Sequence, residues 1–327
     1  MDRKRLTVPM PGGTLPAYAH PMKQGMTNGM EQRASYSGHV TFMRRPVADA
    51  FTEADVVVAG VPFDVATTNR PGARFGPRAI REQSLQLDWG PIWPWGFDPF
   101  DRLRVVDSGD VDWDWGRPQD MAPATSAHVE RILQADALPL VFGGDHFVTL
   151  PVLRAVAERH GPVALVHFDA HRDVESGAGE GRIDHGIVFS EALVEGLVIE
   201  EGCVQVGIRT VFEGETGSAM TVLDAARVHA MAPQEVAGII RDVVGDRPVH
   251  LTFDIDCLDP AFAPGTGTPV PGGLSTHQAR AILWELKGLR FTSFDVMEVA
   301  PAYDPAGITA LAAATLAVDF CCLAAGG

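Results

Sequence analysis

From residue 55 onward, short apolar runs rich in β-branched residues alternate with stretches of helical spacing. Residues 56–61, 103–106, 139–142, 163–168, 204–208, 249–253 and 291–296 read as strands, and residues 77–87, 126–135, 150–160, 233–244 and 276–286 as helices. Strands alternating with helices imply βαβ units, hence an α/β fold with a mainly parallel sheet and helices on both faces. No internal repeat, low-complexity tract or linker follows residue 50, so residues 51–327 are expected to form one catalytic domain. Residues 1–50 are rich in Pro, Gly and Met and lack periodicity. They read as an N-terminal arm that packs on the body or on a neighbouring subunit.

In such sheets ligands bind beyond the carboxyl ends of the strands. The run at 140–142 ends in Gly143-Gly144-Asp145-His146, where two glycines permit a sharp turn and close packing and leave His146 just past the strand. The run at 163–168 leads into Asp169-Ala170-His171-Arg172-Asp173. Alternation of side chains in extended backbone puts Asp169, His171 and Asp173 on one side and Arg172 on the other. The run at 251–253 leads into Asp254-Ile255-Asp256, where the same alternation pairs the two aspartates.

Turn chemistry accounts for Asp259-Pro260, but less well for acids leaving buried strands. Acids and histidines crowded at successive strand ends repel and are costly to desolvate without a cation. Carboxylate oxygen with imidazole nitrogen suits Mn²⁺, Zn²⁺ or Fe²⁺. His146, Asp169, His171, Asp173, Asp254 and Asp256 are too many ligands for one tetrahedral metal. They fit a carboxylate-bridged pair about 3.5–4 Å apart with a water between, the site of a hydrolase. His185, in Asp184-His185-Gly186, suits proton transfer, and Glu298, leaving the last strand, suits a cationic substrate group.

Composition narrows the partners. A formal charge of −16 argues against nucleic acid or an anionic membrane and is compatible with a small cationic substrate. No apolar run reaches the roughly 20 residues that cross a bilayer. The charged start Met1-Asp2-Arg3-Lys4-Arg5 is not followed by an apolar stretch, so no secretory leader is expected. Cys203, Cys257, Cys321 and Cys322 show no CxxC spacing, which suits reduced thiols in a cytoplasmic protein. The adjacent Cys321 and Cys322 are expected in a C-terminal helix as small hydrophobes.

The motifs GGDH at 143–146, DAHRD at 169–173, DHG at 184–186 and FDIDCLDP at 253–260 resemble, in order and spacing, those of the ureohydrolase family, the arginases and agmatinases. The segment 295–313 looks like its closing signature, and segments 60–64 and 70–77 resemble the agmatinase branch more than arginases. The resemblance implies a three-layer α/β/α arginase-like fold, two Mn²⁺ per subunit, and a homo-oligomer, trimer or hexamer. By this likeness one ion takes His146, Asp169, Asp173 and Asp254, and the other takes His171, Asp169, Asp254 and Asp256, with Asp169 and Asp254 bridging. Asp256 would steer the proton as the tetrahedral intermediate collapses, His185 would relay a proton to the departing amine, and Glu298 would orient the guanidinium. The implied reaction is cleavage of a small guanidino compound, agmatine first, to urea and putrescine.

Guanidinobutyrate or guanidinopropionate as substrate, the formiminoglutamate branch, a mononuclear zinc deacetylase-like enzyme and an inactive guanidine-binding protein are the competing readings. Three positions depart from the family's habit: Phe147 after GGDH, Arg172 inside DAHxD, and Ile187 after DHG. Arg172, sent to the opposite face, is expected to leave the ligands intact. The loop 174–183 is acidic and glycine-rich and lacks the asparagine and serine pattern with which arginases hold an α-amino acid. Glu175, Glu180 and Arg182 are its candidates for meeting the substrate tail.

Overall fold

A computed structural model of the protein describes residues 34–326 apart from positions 89, 180 and 218; residues 1–33 of the expected arm lie outside the described residues. A body spanning His39–Gly327 carries all the elements. In chain order these are β1 (Val56–Val61), α1 (Gly76–Ser84), β2 (Val105–Asp110), α2 (Met121–Gln134), β3 (Leu138–Gly143), α3 (Thr149–His160), β4 (Val163–Phe168) and α4 (Val188–Val194). They continue with β5 (Val198–Ile208), β6 (Thr221–Asp224), α5 (Ala225–His229), α6 (Pro233–Val244), β7 (Val249–Asp254), α7 (Thr276–Trp284), β8 (Phe291–Met297) and α8 (Ile308–Ala324). Residues 39–50 lie in this body: Phe42 is buried, its ring 5.3 Å from that of Phe142, and its N–H donates to Asp107 at 2.8 Å.

The seven expected strands all form, β2 two residues late and β5 six residues longer than its apolar run. The unexpected β6, α4 and α5 are short, from four to seven residues, too brief for a period to declare itself. Cys321 and Cys322 are buried in α8, and all four cysteines are free thiols. Among the described residues no helix is long and apolar enough to cross a membrane.

The strands form one parallel sheet in the order β2-β1-β3-β8-β7-β4-β5-β6. Because successive side chains alternate in direction, each strand feeds two cores. Val56, Leu140, Val166 and Leu251 pack with Ile80 of α1, Ile240 of α6, Ile282 of α7 and Leu316 of α8. Val141, Leu165 and Cys203 pack on the other side with Val129 of α2, Leu153 of α3 and Phe189 of α4. Burying one such aliphatic or aromatic side chain contributes about 1.5–3 kcal/mol, and covering both faces explains why the strands read as unbroken apolar runs.

This order positions the site. β3 and β4 are consecutive among the strands but not neighbours; the chain runs out to β6 and returns to lay β7 and β8 between them. The carboxyl ends of β3, β8, β7 and β4 therefore stand side by side, and His146, Glu298, Asp254 and Asp169 come from four adjacent strand ends.

The chain bends at Gly144, as expected, with neither glycine at a positive φ, and both glycines serve close approach. A Cβ on Gly144 would lie 1.5 Å from the carbonyl oxygen of Phe63, and one on Gly143 would lie 1.8 Å from the Met297 sulfur. The obstacle at Gly144 is backbone, which cannot swing aside. Gly144→Ala is therefore expected to cost about 3 kcal/mol or more, the upper range for overpacking. A urea-unfolding midpoint within experimental error of the parent would refute this.

Candidate metal centre

His146 opens a short 3-10 turn after Gly144 and is fully buried. Its Nε2 lies 2.9 Å from the Thr252 hydroxyl, which turns Nδ1 towards the acids. Nδ1 lies 3.1 Å from Asp169 Oδ2, 3.0 Å from Asp173 Oδ2 and 3.2 Å from Asp254 Oδ2, yet makes no directed hydrogen bond to any of them. Four ligand atoms thus face a common point rather than one another. Beside them His171 Nδ1 lies 3.1 Å from Asp256 Oδ2 and 3.4 Å from Asp169 Oδ1. Asp169 presents one oxygen to each group, the geometry a bridging carboxylate needs.

The six residues converge as the sequence predicts, but strand alternation is only part of the cause. β4 ends at Phe168 and β7 at Asp254. Beyond those points the ligand carboxylates organise tight turns: Asp169 Oδ1 accepts the His171 N–H at 2.6 Å, and Asp254 Oδ1 accepts the Asp256 N–H at 2.8 Å. Asp173 reaches the cluster from a left-handed backbone, φ 52°, a conformation costing on the order of 1–3 kcal/mol outside glycine.

The electrostatics fit a cation. Burial and then the charges of Asp256 and Asp169 push the Asp254 carboxyl well above its usual range. Burial disfavours ionising Asp169 as well, but His167, His146 and His171 outweigh it and hold its pKa well down. Burial also works against protonating His146 and His171, yet the surrounding aspartates raise both, His171 to about 12. Without a metal, protons on the two imidazoles supply the compensating charge. An oxygen-rich set with one imidazole in each half is a hard, borderline donor set that fits two divalent cations.

Glu298 and His185 stand against this cluster. Glu298, which the sequence offers for a cationic substrate group, is completely buried, at φ 64°, with its N–H donating to the Gly144 carbonyl at 2.8 Å. Glu298 Oε1 accepts from the His146 N–H at 3.0 Å and from His185 Nδ1–H at 2.8 Å, while Oε2 is buried without a partner. His185 Nε2 lies 2.8 Å from the Thr68 hydroxyl. Burial alone would lower the His185 pKa, but Glu298 raises it to about 9.

A cleft of about 270 Å³ opens over these groups, lined by Asp173, Asp254, His171 and His185 and by two more acids, Glu175 and Asp184. Burial, followed by the charges of Asp184 and Asp173, raises the Glu175 pKa. Arg182 is paired with Asp184 at 2.5 Å; Glu180 lies outside the described residues. Phe147 packs near Phe63, ring centroids 6.4 Å apart, and Ile187 is fully buried; neither lines the cleft. Arg172 points away from the cluster, as expected, onto Gln205, Glu215 and Gly217.

Sequence reasoning missed a second layer beneath the ligands. Gln205, His167, Thr252 and Asp295 occupy one register level across β5, β4, β7 and β8, and all are fully buried. His167 Nε2 lies 2.7 Å from Asp169 Oδ2, and Asp295 Oδ2 accepts from His250 at 3.0 Å and Thr149 at 2.9 Å. The unexpected helix α4 brings Phe189 to within 4.4 Å of the His167 ring centroid. A signal was present: His167 and Thr252 stand two residues before Asp169 and Asp254, polar positions on the ligand-bearing face of apolar runs.

The model of the Arginase family matches residues 54–322. An agmatinase from Proteus mirabilis is 52% identical over 269 residues, 82% of this chain and 87% of that one. The crystal structure of a hypothetical agmatinase from Burkholderia thailandensis superposes with a TM-score of 0.86 at 49% identity, covering 89% of this chain and 92% of the other. Proclavaminate amidino hydrolase from Streptomyces clavuligerus gives 0.85 at 39%, covering 90% and 99%.

Glu298→Gln removes the charge that keeps His185 protonated. In chelator-stripped protein His185 should titrate near 9 in the parent and move towards the ordinary value of about 6.5 in the variant. Because the folded pKa is raised, the stabilisation is complete below about 6.5 and is lost as pH rises through about 9. The stability gap between the two proteins should thus be widest near pH 6 and close above pH 9. Imidazole NMR titration and urea unfolding read the two effects, and an unmoved His185 would exclude this pairing.

Proposed function

Because the chain belongs to the arginase family, a family of binuclear-metal hydrolases acting on C–N bonds of linear amidines, we propose that it cleaves agmatine to urea and putrescine at this centre. The observation that carries the reading is the convergence of His146, Asp169, Asp173 and Asp254 on one point, beside a buried His185–Glu298 pair, in a chain half-identical to agmatinases. We assign one divalent ion to His146, Asp169, Asp173 and Asp254, and the other to His171, Asp169, Asp254 and Asp256. Manganese suits this carboxylate-rich set. When bound, such ions supply positive charge that makes water acidic near neutral pH.

The residues divide the remaining work. Glu298 Oε2, buried and unpartnered, offers an acceptor to a planar N–H donor, and a guanidinium is such a donor. Water oxygen adds to the guanidinium carbon, the bond from that carbon to the chain nitrogen breaks, and the chain nitrogen leaves as the amine. His185, whose pKa Glu298 raises, is the acid assigned to complete that amine. Asp256, whose Oδ2 accepts from the Thr268 hydroxyl at 3.2 Å, is the carboxylate assigned to move the proton of the attacking water. At the far end Glu175 supplies a carboxylate for the primary ammonium. Arg182, the cation that would hold a carboxylate tail, is engaged by Asp184, which favours agmatine over guanidino acids.

Urea release with Mn²⁺ should be fastest on agmatine, ahead of 4-guanidinobutyrate, 3-guanidinopropionate and arginine. No urea from any of them would overturn the assignment. His185→Ala should keep both metals and lose about 10²–10⁴-fold in kcat, whereas Asp254→Ala should lose metal. Glu175→Gln should raise KM for agmatine by about tenfold, one charge-assisted hydrogen bond, with little change in kcat.

A further inference from the structure

We propose that Arg172 is a positioning residue that, acting through Gln205 and His167, fixes how Asp169 presents its carboxylate to the metals. The proposal rests on Asp169 being a metal ligand, as assigned above.

Each link in this chain allows one direction of donation. A guanidinium has only donors, and the side-chain amide of Gln205 has only one acceptor, its oxygen. Arg172 Nε–H donates to Gln205 Oε1 at 2.9 Å, so the amide orientation is set. Its NH₂ group then donates to the Arg172 carbonyl at 2.7 Å and to His167 Nδ1 at 3.1 Å. A donor facing Nδ1 requires that nitrogen to be bare, so the ring proton sits on Nε2. From there it donates to Asp169 Oδ2 at 2.7 Å, the oxygen that lies 3.1 Å from His146 Nδ1.

The anchor is itself held. The other guanidinium nitrogens donate to Glu215 at 3.0 Å and to the Gly217 carbonyl at 2.8 Å. Gln205 and His167 are fully buried, so each takes its hydrogen bonds from protein groups. Without the Arg172 guanidinium, Gln205 Oε1 has no donor and the amide is held by the residue-172 backbone carbonyl and His167 alone, so its flipped orientation gains population. Its oxygen would then accept from His167 Nδ1–H, and a bare Nε2 would face the Asp169 carboxylate. The ligand would lose a donor and gain a lone-pair repulsion in a buried site.

The test uses the full chain, with Mn²⁺ affinity measured by competition against a chelating dye. Arg172→Ala and Gln205→Met should each weaken binding by about 10–100-fold, as loss of an outer partner of a metal ligand does. Glu215→Gln, which leaves the Arg172–Gln205 link in place, should bind within about threefold of the parent, below that range. In metal-free protein, ¹⁵N-imidazole NMR should place the His167 proton on Nε2 in the parent and shift it towards Nδ1 in Arg172→Ala. Unchanged affinity in both variants overturns the proposal, as does a loss in Arg172→Ala that Gln205→Met does not share. If Arg172→Ala fails to fold, the Gln205 variant decides. A parent protein that binds no Mn²⁺ would defeat the metal assignment instead, and the His167 tautomer would still decide the relay.

Discussion

Oxygens from three buried aspartates stand within 3.2 Å of one imidazole nitrogen, and the rest of the molecule is arranged around that crowding. Like charges in a medium of low polarity disfavour their own ionisation, as the raised Asp254 shows. The site persists because three of its carboxylates are tied to backbone donors before any cation arrives. Asp169 accepts the N–H of His171, Asp256 that of Ala170 and Asp254 that of Asp256. Those bonds form where strands end and backbone donors are no longer claimed by the sheet. The ends of parallel strands thus supply the pre-arranged acceptors a binuclear centre needs, and the order β3-β8-β7-β4 brings the right four ends together.

Much of this was legible in the sequence. Strands buried on both faces are apolar runs that stop abruptly, so the acids and histidines following Phe142, Phe168 and Phe253 stood out. What the runs did not disclose was the path of the chain afterwards. Alternation explains a shared face only while backbone stays extended, and Asp173 and Asp256 arrive through a left-handed residue and a 3-10 turn. Nor could Glu298 be told from a solvated glutamate, because its burial depends on Gly144, more than 150 positions away, accepting its N–H. The polar row Gln205, His167, Thr252 and Asp295 emerges only from strand order, which sequence periodicity does not contain. β6 was invisible for a simpler reason: four residues at a sheet edge, of which only Leu223 is buried, are too short to carry an apolar run.

Two layers of the site differ in how they answer to substitution. His171, Asp173 and Asp254 of the upper row line the cleft, and the identity of that row follows from the ions it is assigned to hold. The row beneath is wholly buried and has no substrate to touch, so its side chains are constrained only by the direction of their hydrogen bonds. Arg172, a departure from the family's habit that faces away from the ligands, joins this second row through Gln205. A charged residue at that position is compatible with the site because its guanidinium is neutralised by Glu215 outside the cluster.

Glu298 shows how specificity for a planar cation follows from strain and burial together. Its backbone adopts φ 64°, which a glutamate leaves unless held, and the Gly144 carbonyl holds it. One oxygen is committed to His146 and His185; the other is buried with no partner. A buried carboxylate oxygen left without a donor costs on the order of 1–3 kcal/mol, more for a charged group. Apolar packing cannot recover that cost, and a neutral ligand recovers little of it. In the role proposed for Glu298, a guanidinium would do so while bringing its carbon against the acid cluster. The diffuse field of a chain carrying −16 charges draws cations in general; in the proposed reading the unpartnered oxygen selects among them by shape and donor direction.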